Sequence, residues 1–463
     1  MDLPITLVGD LVPCVDGQWR PYVALDAAAS TGVLPSVMER VIDFVPSYSS
    51  VHRGAGYKSQ VATARYEAAR EAALGFAQRR DRDDVAIICR NTTEAINHLV
   101  FRLDLRAEDV IVTSVIEHHA NLLPWSRAAT CRYVECTPEG TFSVADFVAA
   151  LDTTPTPRLV TLSGASNITG WMPPVTQIID EAHARGIPVV IDAAQLAPHR
   201  PLPRDADFVV WSAHKMYAPF GAGVLIGPRS AFAEGEPFLA GGGAVDFVAL
   251  DEVLWTGPPE REEAGSPNVV GAVALHAAID AVSAIGWADI IEHDRRVARR
   301  LREGLGSLRG VQVLGPGLDV ETLPVATFNV RGVPFALVAA RLSAEFAIGV
   351  RHGCFCAHPY LTRLLNLSDV DVARSRDHIR HGERRAMPGA VRASCGLNTS
   401  IDDVEKLLDA VSQIASGVEP TVAYHQDVAT GDYYPDLSAD PDSDFALAWD
   451  ANARNRGGSC SPG

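Results

Sequence analysis

Two short apolar runs, Pro188–Ile191 and Phe208–Trp211, constrain this chain more than anything else in it. Each is too short for a helix and lacks the alternation of a half-buried strand. Both therefore read as strands buried on two faces of a parallel sheet. The first ends in Asp192; the second runs into Ser212, His214 and Lys215, then a glycine-bearing turn at Gly221 and Gly223. Ligands of such sheets bind outside the carboxyl ends of the strands, which is where Asp192 and Lys215 lie.

Lysine usage sharpens the reading. The chain has 40 Lys and Arg residues, of which only Lys58, Lys215 and Lys406 are lysines. Arginine stays protonated and cannot replace lysine where a neutral amine must attack a carbonyl. A carboxylate at one strand end and an amine at the next suit pyridoxal phosphate: the first would hold the pyridine nitrogen protonated, the second would form the Schiff base. An Asp–Lys ion pair capping two strands suits the same two residues, and at this point both readings stay open.

A length of 463 residues exceeds one core and predicts two domains or more. The formal net charge of −17 argues against nucleic acid as the main partner. No apolar run approaches a membrane span, and the N-terminal MDLPITLVGDLVP lacks the basic region and cleavage site of a signal peptide. The eight cysteines are scattered rather than framework-like, so reduced thiols in a cytoplasmic protein are expected.

Strand-like and helical stretches alternate from about residue 22 to the central segment, which predicts an α/β fold with a doubly wound, mostly parallel sheet. Val270 to about Leu308 reads as helical and leads to a smaller α+β unit. The expected division is 21–275 for a large cofactor-binding domain and 1–20 with 276–416 for a small domain with an N-terminal arm. Residues 417–463 form an acidic tail rich in Asp, Pro, Ser and Gly, for which disorder is the default. Its Tyr424, Tyr433, Tyr434, Phe445 and Trp449 suggest that part of it docks.

Several polar groups fall at strand ends. Asn91, Thr92 and Thr93 lie where a strand meets a helix and suit either an anion site or a helix cap. Ser212 and His214 are further phosphate donors. His118 could stack on a planar ring or be structural, and adjacent histidines make a poor metal site, so no metal is expected. Asn167 and Gln195 could bond a phenolic oxygen. In the loop RHGCFCAHP, Cys356 reads as a thiolate nucleophile or an inert buried thiol, and Arg351 and Arg392 suit a bidentate carboxylate clamp.

The chain resembles the class V aminotransferase-like group of fold-type I pyridoxal phosphate enzymes, closest to cysteine desulfurases and selenocysteine lyases. The resemblance runs from about Tyr22 to Ala415. It is carried by VHRG (51–54), TTEAIN (92–97), EHHANLLPW (117–125), DAAQ (192–195), SAHKMYAPFGAGVL (212–225), EAGSPN (263–268), GVRHGCFCAHP (349–359) and VRAS (391–394). It implies that Lys215 forms the Schiff base and moves the Cα proton, Asp192 pairs with the pyridine nitrogen and His118 stacks on the ring. Asn167 and Gln195 would meet the phenolic oxygen, while Thr92, Thr93, Ser212 and His214 hold the phosphate. Ser266 would reach the phosphate of the other subunit, which implies a homodimer. His52, Arg351 and Arg392 would bind substrate, and Cys356 would take sulfur as a persulfide on a loop able to move, for a possible sulfur-acceptor protein.

The implied reaction is cleavage of the C–S or C–Se bond of cysteine or a related amino acid, giving alanine. The alternative is a β-lyase, epimerase or transferase of specialised metabolism. Two features depart from the family pattern. Cys354-Phe355 stands where members carry a histidine pair, and the stretch between Cys356 and Arg392, around 360–390, is longer than expected.

Overall fold

The computed structural model describes residues 3, 5–7, 9 and 11–437. Its centre is a seven-stranded sheet. The strands are β1 (Asp84–Cys89), β2 (Val110–Ser114), β3 (Thr130–Val134), β4 (Leu159–Ser163), β5 (Val189–Asp192), β6 (Phe208–Ser212) and β7 (Gly223–Pro228). They lie in the order β1-β7-β6-β5-β4-β2-β3. Only β7 runs against the direction of the other six strands. Strands β2, β4, β5 and β6 are buried at every position, as uninterrupted apolar runs require.

Strand β7 corrects the expected glycine-rich turn. The turn ends at Gly221 (φ +71), and Gly223 already pairs with Ser212 on one side and Cys89 on the other. A Cβ at Gly223 would stand 2.7 Å from Asn91 Cα, so only glycine lets β7 pass this close to the start of α1 (Thr92–Arg102).

The stretch expected as one helical segment is two helices, α2 (Val269–Ile285) and α3 (Trp287–Ser307), bent by 82° at Gly286, whose φ is +88. Helix α2 packs on the helices Pro35–Phe44 and Tyr57–Phe76 along one face of the large sheet. No described helix is by itself long and apolar enough to cross a membrane. Helix α3 leads to a four-stranded antiparallel sheet, β8 (Val311–Leu314), β9 (Val325–Val330), β10 (Arg351–Gly353) and β11 (Ala390–Ser394), in the order β8-β9-β11-β10. A second core forms there between the sheet, α3, α4 (Phe335–Phe346) and the helix Ile401–Ala415.

The stretch around 360–390 is largely helical. It forms α5 (His358–Leu364) and α6 (Asp369–Arg380), the latter started by a reciprocal Ser368–Asp371 cap. Disorder does not describe the start of the acidic tail. Tyr424–Gln426 and Tyr433–Pro435 pair as a hairpin against α4, with the Tyr424 hydroxyl donating to Glu345 at 3.0 Å. Phe445 and Trp449 lie outside the described residues.

Candidate active site

The carboxyl ends of β2, β4, β5 and β6 and the start of α1 open into one cavity of about 210 Å³. It is lined by Thr92, Thr93, His118, Asn167, Asp192, Gln195, Ser212, His214, Lys215, Arg351, Cys356 and Arg392. Twelve of the fourteen residues to which the family resemblance gives a role therefore meet in one place. The other two, His52 and Ser266, do not reach it within one chain. His52 is bonded to Glu67 at 2.9 Å, and Ser266 is exposed on the segment before α2.

Lys215 closes a single 3-10 turn after β6. The turn is held from outside by Thr31, whose amide donates to the His214 carbonyl at 2.9 Å and whose hydroxyl accepts from the Tyr217 amide at 2.7 Å. Burial brings the Lys215 ammonium down to about 8, against the pull of Asp192, with Arg392 and Arg351 pushing the same way as burial. An amine so placed is neutral in a useful fraction of chains near neutral pH. Asp192 is buried at the end of β5 and accepts from the Ala194 amide at 2.9 Å. Burial raises its carboxyl above the ordinary range, and the Lys215 charge opposes that.

At the start of α1, Asn91 caps the helix by accepting from the Glu94 amide at 2.9 Å, so the capping reading holds for Asn91. Thr92 is tied to Ser212 by two contacts, amide to Oγ at 2.8 Å and hydroxyl to hydroxyl at 2.7 Å. That leaves the first turn of α1, with Thr93, directed at the cavity, where helix amides favour an anion.

His118 accepts from the Ala120 amide at Nδ1, 3.0 Å, and burial first, then Lys215, lowers it to about 3. It is a neutral ring on the cavity wall, where a planar group could stack on it. Beneath it, Glu117 is fully buried and accepts from Ser114 (2.5 Å), Ser163 (2.6 Å) and Asn121 (2.7 Å). This group binds the His118 segment to the ends of β2 and β4. The sequence EHH (117–119) gives no sign of it, because a buried carboxylate has no periodic signature.

The residues fit pyridoxal phosphate on a direct observation. Asn167 Nδ2 donates to the Phe355 carbonyl at 2.7 Å, which leaves its buried Oδ1 without a partner on the cavity wall. A ring hydroxyl would satisfy it. Gln195 keeps its amide on the Ala28 carbonyl at 2.7 Å.

The arginine pair is built by sheet register, since Arg351 and Arg392 are direct partners across β10 and β11. Asp26 completes it, unforeseen from the sequence. It accepts from Arg392 at 2.7 Å and lies 3.4 Å from Arg351, placed there by a bridge between Asp26 and Ser394. Arg392 also donates to the Asn167 carbonyl at 2.9 Å, and its buried Nε has no partner. The expected open bidentate fork is thus already half engaged, with Nε left over.

Cys356 is exposed at the cavity edge. It sits in a tight turn held by two backbone hydrogen bonds. Ala357 N–H donates to the Cys354 carbonyl at 3.0 Å, and the Cys356 carbonyl accepts from the His119 amide at 2.7 Å. His119 in turn stacks on His358 with ring centroids 5.1 Å apart. Among the described residues no three His, Cys, Asp or Glu side chains are grouped to hold a metal ion.

Comparison with known proteins matches this arrangement to named relatives. The family model described as aminotransferase class-V matches residues 23–407. A probable cysteine desulfurase of Halalkalibacterium halodurans is 34% identical over 365 residues, covering 76% of this chain and 88% of that protein. A cysteine desulfurase of Dickeya dadantii is 32% identical over 426 residues, covering 89% and 95%. The apo structure of a cysteine desulfurase from Thermococcus onnurineus superposes with a TM-score of 0.76 at 30% identity, over 86% of this chain and 95% of that one.

Proposed function

The chain belongs to the class-V aminotransferase family, and from that premise we propose that it is a pyridoxal-phosphate-dependent enzyme that cleaves the C–S bond of cysteine. In this reading alanine leaves and the sulfur stays on Cys356 as a persulfide. The single observation that carries it is one cavity wall shared by Lys215, Asp192 and the exposed thiol of Cys356. The relatives named above are two cysteine desulfurases and a probable cysteine desulfurase. Nothing in the comparisons favours the β-lyase, epimerase or transferase alternative.

When bound, the cofactor supplies an electron sink that makes the substrate Cα–H acidic. The chain's own residues do the rest. Lys215 would tether the group and, lowered to about 8, would take the proton from Cα and return it where alanine forms. Asp192 would hold a positive charge on the group, and His118, a neutral imidazole, would stack on its ring. Thr92, Thr93, Ser212 and His214 surround the anion site at the start of α1. Arg392, through Nε, and Arg351 take the substrate carboxylate, which aims the sulfur at Cys356. The Cys356 thiolate then attacks that sulfur.

We place a second copy of the chain over the face carrying His52 and Ser266. Arg53 donates to the Val245 carbonyl at 2.5 Å, and Gly265 donates to the Gly242 carbonyl at 2.7 Å, so both residues flank one hairpin, Val245–Val248 with Val253–Trp255. That hairpin exposes Phe247, Val248, Leu250 and Leu254, an apolar surface suited to a partner subunit. The seven described cysteines pair with no other cysteine, which supports a reducing compartment such as the cytoplasm. Because the Cys356 turn is anchored, a sulfur-acceptor protein would have to approach it.

The test is Cys356→Ser. The variant should keep the visible absorbance of the bound cofactor and lose alanine formation from L-cysteine. Undiminished alanine formation would remove Cys356 from the reaction.

A further inference from the structure

The turn that carries Cys356 is strained and contains a second thiol. Phe355 (φ +55) and Cys356 (φ +54) both sit in the left-handed region, the pattern of a type I′ turn, although neither is glycine. Such positions cost on the order of 1–2 kcal/mol per residue and persist only where the surroundings over-determine them. The surroundings do so here. Asn167 holds the Phe355 carbonyl, His119 holds the Cys356 carbonyl, and the Arg392 guanidinium lies 5.1 Å from the Phe355 ring centre.

What this geometry fixes is the relation between Cys354 and Cys356. They are the first and third residues of the turn, closed by the Ala357 bond to the Cys354 carbonyl. Two bent virtual bonds set their Cα atoms about 5–6 Å apart, inside the range a disulfide spans. The Cys354 side chain is half-buried, packed at the margin of the main core. Cys356 is exposed and lines the cavity, whereas Cys354 is half-buried and does not line it.

We propose that Cys354 is a resolving thiol for sulfur carried on Cys356, releasing it as hydrosulfide and closing a Cys354–Cys356 disulfide. This rests on the persulfide reading above. The Cys354 thiolate attacks the Cys356 Sγ of the Cys356–S–SH group. A Cys354–Cys356 S–S bond forms, the outer S–S bond breaks, and its electron pair leaves with HS⁻. The Cys354 proton passes to solvent. No outside oxidant is consumed, because the persulfide is itself the oxidant. A dithiol reductant then restores both thiols for the next turn. Burial holds the Cys354 thiol above its ordinary range, against the Cys356 amide and the Arg351 charge, so it rests protonated between turnovers.

The test loads holoenzyme in two ways without reductant, with L-cysteine and with inorganic polysulfide, and maps the 352–363 segment by mass spectrometry. Wild type should end with a Cys354–Cys356 disulfide, two hydrogens lighter, and one hydrosulfide per chain. Cys354→Ser and Cys354→Ala should instead keep one added sulfur on Cys356 about tenfold longer or more. Wild type that retains the added sulfur as long as the variants overturns the proposal, as does added sulfur found on Cys354 without a disulfide. A disulfide formed after polysulfide, with no sulfur loaded from L-cysteine in Cys354→Ser, would support the resolving role while refuting the persulfide reading of the enzyme reaction.

Discussion

Replacing Glu117 by glutamine should remove a pH-dependent weakness that the structure builds in beneath His118. The Glu117 carboxyl is fully buried, and burial pushes it up to about 7 from an ordinary 4.5. The bonds from Ser114, Ser163 and Asn121 pull it back, and nearby Asp192 pushes it up further. Between those two pH values the folded chain keeps a proton that the unfolded chain has released. Stability from this group is therefore complete below about 4.5 and is lost as the pH rises through about 7. At ~1.4 kcal/mol per pH unit the loss comes to about 3 kcal/mol. Glutamine is neutral throughout and fits the same partners. Its oxygen can accept from Asn121 and Ser163, and its amide can donate to the Ser114 hydroxyl, which reverses role. Thermal unfolding midpoints of both proteins, compared from pH 5 to pH 8, check this. Wild type should lose ground to Glu117→Gln steadily as the pH rises. A difference that stays flat, or that favours wild type at high pH, would refute the claim that burial dominates this carboxyl.

Two further substitutions probe the cavity wall. Gly223→Ala would drive a methyl group to 2.7 Å from Asn91 Cα and push the start of α1 off the sheet. It should weaken cofactor binding about tenfold, equivalent to about 1.4 kcal/mol, read by cofactor titration of the apoenzyme. Asp26→Ala leaves Arg392, with a side chain only 2% exposed, without its carboxylate. The expected cost is about 3 kcal/mol of stability, measured by denaturant unfolding. Asp26→Asn, which keeps an acceptor for the same guanidinium, should lose less.

What could be read from the sequence was whatever local pattern determines. Buried strands announce themselves as apolar runs, and their carboxyl ends mark a ligand site, which is why Asp192, Ser212 and Lys215 stood out. Strand direction is not local. The β7 run carries no mark of its antiparallel course, and its first glycine looked like part of a turn. Asp26 escaped for a similar reason, since its role comes from a bridge to Ser394, far along the chain. Glu117 is silent because burial of a carboxylate depends on donors brought from β2 and β4. The anchored turn at Cys356 was also hidden. Positive φ at Phe355 and Cys356 contradicts local preference and is imposed by Asn167 and His119 from other elements.

The most direct measurement of the central claim is a single turnover of holoenzyme with L-cysteine, with alanine, pyruvate and sulfide quantified together and the thiols trapped early with an alkylating reagent. The account predicts one alanine for each sulfur atom added at Cys356, with no pyruvate. Pyruvate and ammonia with no sulfur at Cys356 would contradict it and assign the cavity to β-elimination.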